Sequence, residues 1–229
     1  MKNEKLIIVL PAFNEASVID RVLENLKREL LLISNLQKEI VVVDDGSIDK
    51  TSQIAHKHGV MVIKHLINRG LGGALGTGLE YAKMSKAAMM VTFDADGQHD
   101  AKDILSILNP ILNNRADVVI GVRNIKKMPF DRRVITLFSS IVTFVFFGIF
   151  CQDTQSGFRA FNLKAINSLK IKTQRMEVSS EFFYGIKKHK LRLVEVPIRV
   201  IYTPYSLKKG QQNSNAVKIL LKLILRLFR

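Results

Sequence analysis

Between Val91 and His99 the chain reads V-T-F-D-A-D-G-Q-H. Two carboxylates, Asp94 and Asp96, stand two residues apart where the apolar run Ala88–Phe93 gives way to acid and glycine. In extended chain, residues i and i+2 face the same side, so the two acids are expected side by side. Carboxylates that close repel unless a cation shares them. A hard divalent ion such as Mg2+ prefers oxygen ligands and commonly holds phosphates as well. Gln98 adds a neutral oxygen two residues further on. A strand that merely ends in a polar turn is the competing reading, since Asp and Gly are ordinary turn residues.

The elements that would position these acids alternate between strand and helix. Lys5–Pro11, Glu39–Asp44, Val60–Lys64, Ala88–Asp94 and Asp117–Gly121 read as buried strands. Ala16–Ile33 carries apolar residues at helical spacing, and Asp49 is placed to cap a helix after the second strand. This alternation predicts a single α/β domain built on a doubly wound, mostly parallel sheet. Ligands in such sheets bind beyond the carboxyl ends of the strands. Glu15, Asp45, Asp94, Asp96 and Arg123 all fall there, on one rim.

Composition narrows the partners. The 229 residues are 47% apolar, enough for a sizeable core, and carry a formal charge of +15 that asks for an acidic partner. Nucleic acid, anionic lipid and a phosphorylated substrate all qualify. The single cysteine, Cys151, fits a reducing compartment, and the opening M-K-N-E-K shows no signal-peptide pattern. The segment N-R-G-L-G-G-A-L-G-T-G, residues 68–78, has Leu75 where a dinucleotide fingerprint needs its last glycine. Close packing of a helix on the sheet is the expected role of Gly76 and Gly78.

Five motifs occur in order: L-P-A-F-N-E-A, V-V-D-D-G-S-I-D-K-T, N-R-G-L-G-G-A, D-A-D-G-Q-H-D-A-K-D-I and D-T-Q-S-G-F-R-A-F-N. Together they resemble the family 2 inverting glycosyltransferases of the GT-A fold, and within them the dolichol- and polyprenyl-phosphate mannosyl- and glucosyltransferases. The resemblance implies an NDP-sugar donor, Mg2+ or Mn2+, and a polyprenyl or dolichyl phosphate acceptor, with mannose or glucose as the sugar. It implies that Pro11, Phe13 and Glu15 line the nucleotide pocket, that Asp45 meets the base, and that Asp94 and Ala95 lie near the ribose and diphosphate. Asp96 and Gln98 would hold the metal. Arg123 and either Arg132 or Arg133 would meet the acceptor phosphate, so Asp94, Asp96, Arg123 and Arg133 form the implied catalytic set. Phe13, Val122 and Ala101 replace a tyrosine, a serine and a proline frequent in relatives, without loss of a charged group.

A lipid monophosphate, with a second pKa of about 6, is already largely ionised at pH 7 and needs no strong general base. It needs placement against an anionic donor, which arginine forks supply. Two stretches bear on where this happens. Val134–Cys151 has no charge over 18 residues but is short for a span. Thr136, Ser139, Ser140 and Thr143 fall on one helical face, which predicts a helix in the membrane interface or packed on the domain. Residues 216–229, A-V-K-I-L-L-K-L-I-L-R-L-F-R, gather Lys218, Lys222, Arg226 and Arg229 on one stripe. They predict a basic interfacial helix spanning 214–229 after a catalytic domain of 1–213, and peripheral attachment to the cytoplasmic membrane face. Glu177 and Glu181 open a further helix. His56, His58, His65 and His189 lack ligand spacing and read as solvated, while His99 stands behind the metal segment at most. Two other readings are a glycosyltransferase with a non-lipid acceptor and, from the charge and glycines, a nucleic-acid- or NAD(P)-binding α/β protein. The basic residues, however, are not interleaved with aromatics as single-strand binding requires.

Overall fold

The computed structural model describes residues 4–125, 128–174, 177–202 and Tyr205. The expected interfacial helix at 214–229 and the boundary before it lie outside the described residues.

Seven strands form one sheet in the order β3-β2-β1-β4-β6-β5-β7. The first four are β1 (Glu4–Ala12), β2 (Leu36–Asp44), β3 (Met61–Lys64) and β4 (Met89–Thr92); β5 (Val118–Arg123), β6 (Arg159–Asn162) and β7 (Leu193–Ile198) complete it. All run parallel except β6, which returns antiparallel between β4 and β5. The sheet is therefore mixed, and β6 and β7 were not foreseen. Strand β6 is only four residues long and opens on an arginine, and β7 contains Pro197, so neither has the apolar run of a buried strand.

Alternation along β1 builds the two faces. Leu6, Ile8 and Leu10 pack with Ile19, Leu23 and Leu26 of α1 (Ile19–Leu31) and Ile107 of α4 (Ile104–Leu112). Ile7 and Val9 pack on the other side with Leu75 and Leu79 of α3 (Leu71–Met84) and with α6 (Leu163–Ser168) and α7 (Val178–Lys188). A methyl group at Gly78 would overlap Val9, so close helix–sheet approach requires glycine there. At Gly76 a methyl group would meet Ile171 at ordinary contact distance, so its expected packing role is not a strict one. Asp49 accepts from Thr51 N, the first residue of α2 (Thr51–Lys57), at 2.9 Å, although the N-cap position itself falls on Lys50, one residue after the expected Asp49.

Helix α5 (Phe130–Phe147) sits on the body with its polar side inward. Thr136, Ser140 and Thr143 are buried, whereas Val134, Leu137, Ile141, Phe144 and Val145 are exposed. Ser140 donates to the carbonyls of Thr136 and Gln152, and Ser139 accepts from Thr154 and Gln155. The polar stripe thus binds the loop 152–158 and turns the apolar stripe outward. No helix among the described residues is long and apolar enough to cross a membrane.

Candidate active site

Strand β4 stops at Thr92, and Ala95-Asp96-Gly97 form a turn in which Gly97 takes φ +76°. The expectation of an extended D-x-D is corrected accordingly: the turn, not the pleat, brings the two acids together. Gln98 N donates to Asp96 Oδ1 at 2.9 Å and its side-chain nitrogen to Oδ2 at 2.5 Å. His99 Nε2 lies 3.0 Å from Asp94 Oδ2. A methyl group at Gly157, in S-G-F, would fall on both Asp94 carboxylate oxygens, so this glycine makes room for the acid.

The two acids are opposite in electrostatic character. Burial opposes ionisation of Asp94, but the His99 hydrogen bond and the charges of His99, Arg123 and Arg159 outweigh it and hold the carboxyl below its ordinary range. Asp94 sits deep among protein atoms yet keeps 35% of its side-chain surface exposed. Burial, reinforced by the charge of Asp94, pushes Asp96 up, with His99 and Gln98 only partly offsetting this.

Two arginines reach the same rim. Arg123, at the end of β5, forks onto Asp153, with Nε to Oδ2 at 2.6 Å and Nη2 to Oδ1 at 2.8 Å. Burial disfavours its charge, but the hydrogen bond and charge of Asp153 more than compensate and raise its pKa. Arg132 Nη1 is 3.3 Å from Gln98 Oε1. For Arg133, its neighbour on α5, the described contact is the backbone N–H to Pro129 O. Behind them Arg159 is buried; it donates to the carbonyls of Ser156 and Thr154 and lies 4.8 Å above the Phe182 ring. It therefore shapes the loop that carries Asp153 and Gly157.

On the opposite side, the loop after β1 is tied to the loop after β2. Asn14 N donates to Ser47 Oγ at 2.9 Å, Ile48 N to Asn14 Oδ1 at 3.0 Å, and Glu15 N to Thr51 Oγ1 at 2.8 Å. Pro11 is half-buried, Phe13 is exposed, and Glu15 accepts from Tyr205 Oη at 2.8 Å. Asp45 is buried and receives three donors: His65 Nδ1 at 2.7 Å, Arg69 N at 2.9 Å and Gly70 N at 2.6 Å. Its carboxylate organises the glycine-rich loop. His65, expected to be solvated, is buried and bridges Asp45 to Thr77. His58, read the same way, meets Asp20 at 2.8 Å with its side chain mostly covered. Glu181 accepts from the backbone of Lys172 and Thr173 and braces that segment.

Sequence reasoning placed Glu15, Asp45, Asp94, Asp96 and Arg123 on one rim. The structure sets Asp94 beside Asp96 and within electrostatic reach of Arg123, and links Asp96 through Gln98 to Arg132. It turns Asp45 toward His65 and the glycine-rich loop. It missed Asp153, Arg159 and the link from His99 to Asp94. The available signal was a charged pair flanking a glycine within the otherwise uncharged chain from Val134 to Phe161.

The residues fit a divalent cation. A cation beside Asp96 would offset the burial and the Asp94 repulsion that raise its pKa. Gln98 would face it with its amide oxygen by giving up its present contacts, Nε2 on Asp96 and Oε1 toward Arg132. Among the described residues no group of three His, Cys, Asp or Glu closes a cage. The donor set is thus that of an open oxygen site completed by phosphate and water.

The profile described as Glycosyl transferase family 2 matches residues 7–175. An uncharacterized protein of Methanocaldococcus jannaschii is 45% identical over 233 residues, covering 99% of this chain and 93% of its own. The UDP-N-acetylglucosamine–dolichyl-phosphate N-acetylglucosaminyltransferase of Methanococcus voltae is 35% identical over 249 residues, 98% of this chain and 97% of that protein. The glucosyl-3-phosphoglycerate synthase of Mycobacterium tuberculosis, solved with Mn2+, UDP-glucose and phosphoglyceric acid, superposes with a TM-score of 0.67 at 18% identity, over 96% of this chain and 79% of that one. That likeness shows the GT-A-like fold.

Proposed function

We propose, for a chain that belongs to glycosyl transferase family 2, that it moves a sugar from an NDP-sugar to the phosphate of a dolichyl or polyprenyl carrier, with inversion at the anomeric carbon. The observation that carries this reading is the meeting of a carboxylate pair with two arginines on one rim, Arg132 at 3.3 Å from Gln98 and Arg123 locked on Asp153. The Methanococcus voltae relative is named for UDP-N-acetylglucosamine and a dolichyl phosphate, so N-acetylglucosamine joins mannose and glucose as a candidate sugar.

In this reading Pro11, Phe13, Glu15 and Asp45 border the nucleotide, with Asp94 and Ala95 facing its ribose and diphosphate. A divalent metal, Mg2+ or Mn2+, held by Asp96 and Gln98, would supply charge neutralisation to the departing nucleoside diphosphate. Asp153 occupies two nitrogens of Arg123 and so aims the guanidinium, leaving Nη1 for the acceptor phosphate. Arg132, whose guanidinium reaches Gln98, is the better placed of the adjacent pair to give a second fork. The ionised phosphate oxygen then attacks the anomeric carbon opposite the leaving group, and no protein nucleophile is required.

The outward apolar face of α5 supports docking on a membrane, where the acceptor lies. Residues 214–229 would add an anionic-lipid anchor. Attachment at the cytoplasmic face agrees with the single, buried, unpaired Cys151.

Arginine substitutions test the reading. Arg123→Ala and Arg132→Ala should each raise the KM for lipid phosphate by about 10- to 100-fold, the loss of a charge-assisted contact, with KM for the NDP-sugar little changed. Equal changes in both constants would remove these arginines from the acceptor site.

A further inference from the structure

We propose that His99 is a positioning residue for the transfer reaction, its Nε2–H holding Oδ2 of Asp94 so that the carboxylate keeps one orientation toward the donor. The inference rests on the reading of Asp94 as a donor-facing group.

The geometry is that of a clamp. Gly157 packs against both oxygens of the Asp94 carboxylate, where no side chain could fit, and His99 Nε2 meets its Oδ2 at 3.0 Å. The imidazole is itself fixed. It lies 5.4 Å from the Phe93 ring and 5.1 Å from Phe158, and its backbone pairs with Val200 in an isolated bridge. Because a carboxylate only accepts, the nitrogen facing it carries the proton.

The other nitrogen indicates why a histidine stands here. Nδ1 is buried and has no hydrogen-bond partner among the described residues. An unpaired buried acceptor lowers stability, and in an aromatic cage a phenylalanine would fill the space without that cost. The residue type therefore serves Asp94 and not the packing around it. Such conflict between local stability and residue choice marks functional positions.

The test measures binding of UDP, and in parallel GDP, with Mn2+ by calorimetry, alongside melting temperature, for the full chain and five variants. His99→Phe is expected to melt at or above the parent temperature yet bind nucleotide about ten-fold or more weakly. His99→Gln, whose amide nitrogen can occupy the place of Nε2, should recover binding to within about three-fold of the parent. His99→Asn reaches only the Nδ1 position and should behave as His99→Phe. Asp94→Asn should weaken binding, and the double variant His99→Phe/Asp94→Asn should bind no more weakly than Asp94→Asn alone. Parent-like binding by His99→Phe beside a weakened Asp94→Asn would overturn the role of His99 and leave that of Asp94 standing. Binding losses in both His99→Phe and His99→Gln that track falls in melting temperature would reduce His99 to a packing residue. Parent-like binding by Asp94→Asn would remove the donor-facing reading of Asp94, and the proposal with it.

Discussion

Helices α1 and α5 are both amphipathic, and they face opposite ways. In α1, Ile19, Val22, Leu23, Leu26 and Leu30 are buried while Asp20, Arg21, Glu24 and Lys27 meet solvent. In α5, Thr136, Ser140 and Thr143 are buried while Leu137, Ile141, Phe144 and Val145 are exposed. Water explains the first arrangement. It cannot explain the second, in which the polar stripe is consumed by the loop carrying Asp153 and Gly157. The same division runs through the chain. Strands β1 to β4 stand on apolar contacts of the usual kind. Buried carboxylates occur in both parts, but after β1 and β2 Glu15, Asp44 and Asp45 take hydroxyl, imidazole and backbone donors. Beyond β4 arginines enter: Arg123 on Asp153, Arg159 on loop carbonyls, and Arg192 on Asp117. The first part supplies a rigid platform, and the second gives up ordinary patterning to hold Arg123 and Arg132 at the rim beside an apolar surface.

The largest expected effect falls where the two parts meet. Asp96→Ala should lower transfer by about a thousand-fold, with melting temperature unchanged or raised, because it removes the carboxylate proposed to hold the metal, whose charge burial and Asp94 already disfavour. Near-parent activity in steady-state assays, after chelation and metal return, would separate Asp96 from the chemistry.

A pair of substitutions sets the two helices against each other. Leu26→Ala in α1 should cost about 2–5 kcal/mol of unfolding free energy, the usual result of emptying a core site. Ile141→Ser combined with Phe144→Ser in α5 should change stability in water by no more than about 1 kcal/mol, yet release protein from anionic vesicles. Denaturant melts and vesicle flotation read the two outcomes. A large stability loss from the α5 pair would show that its outer face is covered by protein.

The smallest effect tests the buried charges. Asp117 is held well below the usual carboxylate range by hydrogen bonds from Arg192, with burial opposing and Asn162 assisting. A folded pKa below the unfolded value means that its stabilisation is full above about pH 4 and is lost as pH falls further. Asp117→Asn should therefore lower the melting temperature at pH 7, and the gap to the parent should narrow progressively below pH 4. A gap independent of pH would assign Asp117 to shape alone.

The contrast between the parts also decides what could be read from sequence. Strands β1, β2, β4 and β5 announce themselves as apolar runs, and the rim of Glu15, Asp45, Asp94 and Arg123 follows from their ends. Strand β6 carries Arg159 opposite Thr92 and Ile120, a charge inside the sheet that no periodicity signals. Its neighbour Asp153 gains meaning only from Arg123, thirty residues away. His65 looked solvated because its partners, Asp45 and Thr77, come from two other elements. The amphipathic pattern of α5 was legible, but which stripe faced the body was not, because that depends on a loop that follows the helix.

Transfer itself is the most direct test of the central claim. Purified full-length chain would be incubated with Mn2+, a polyprenyl monophosphate in anionic vesicles, and each of UDP-N-acetylglucosamine, UDP-glucose and GDP-mannose. One donor should yield a lipid-extractable glycosyl monophosphate whose proton NMR spectrum shows the anomeric configuration opposite to that of the donor. Formation of a product that retains the donor configuration, or transfer only to water-soluble acceptors with none to the lipid, would contradict the account.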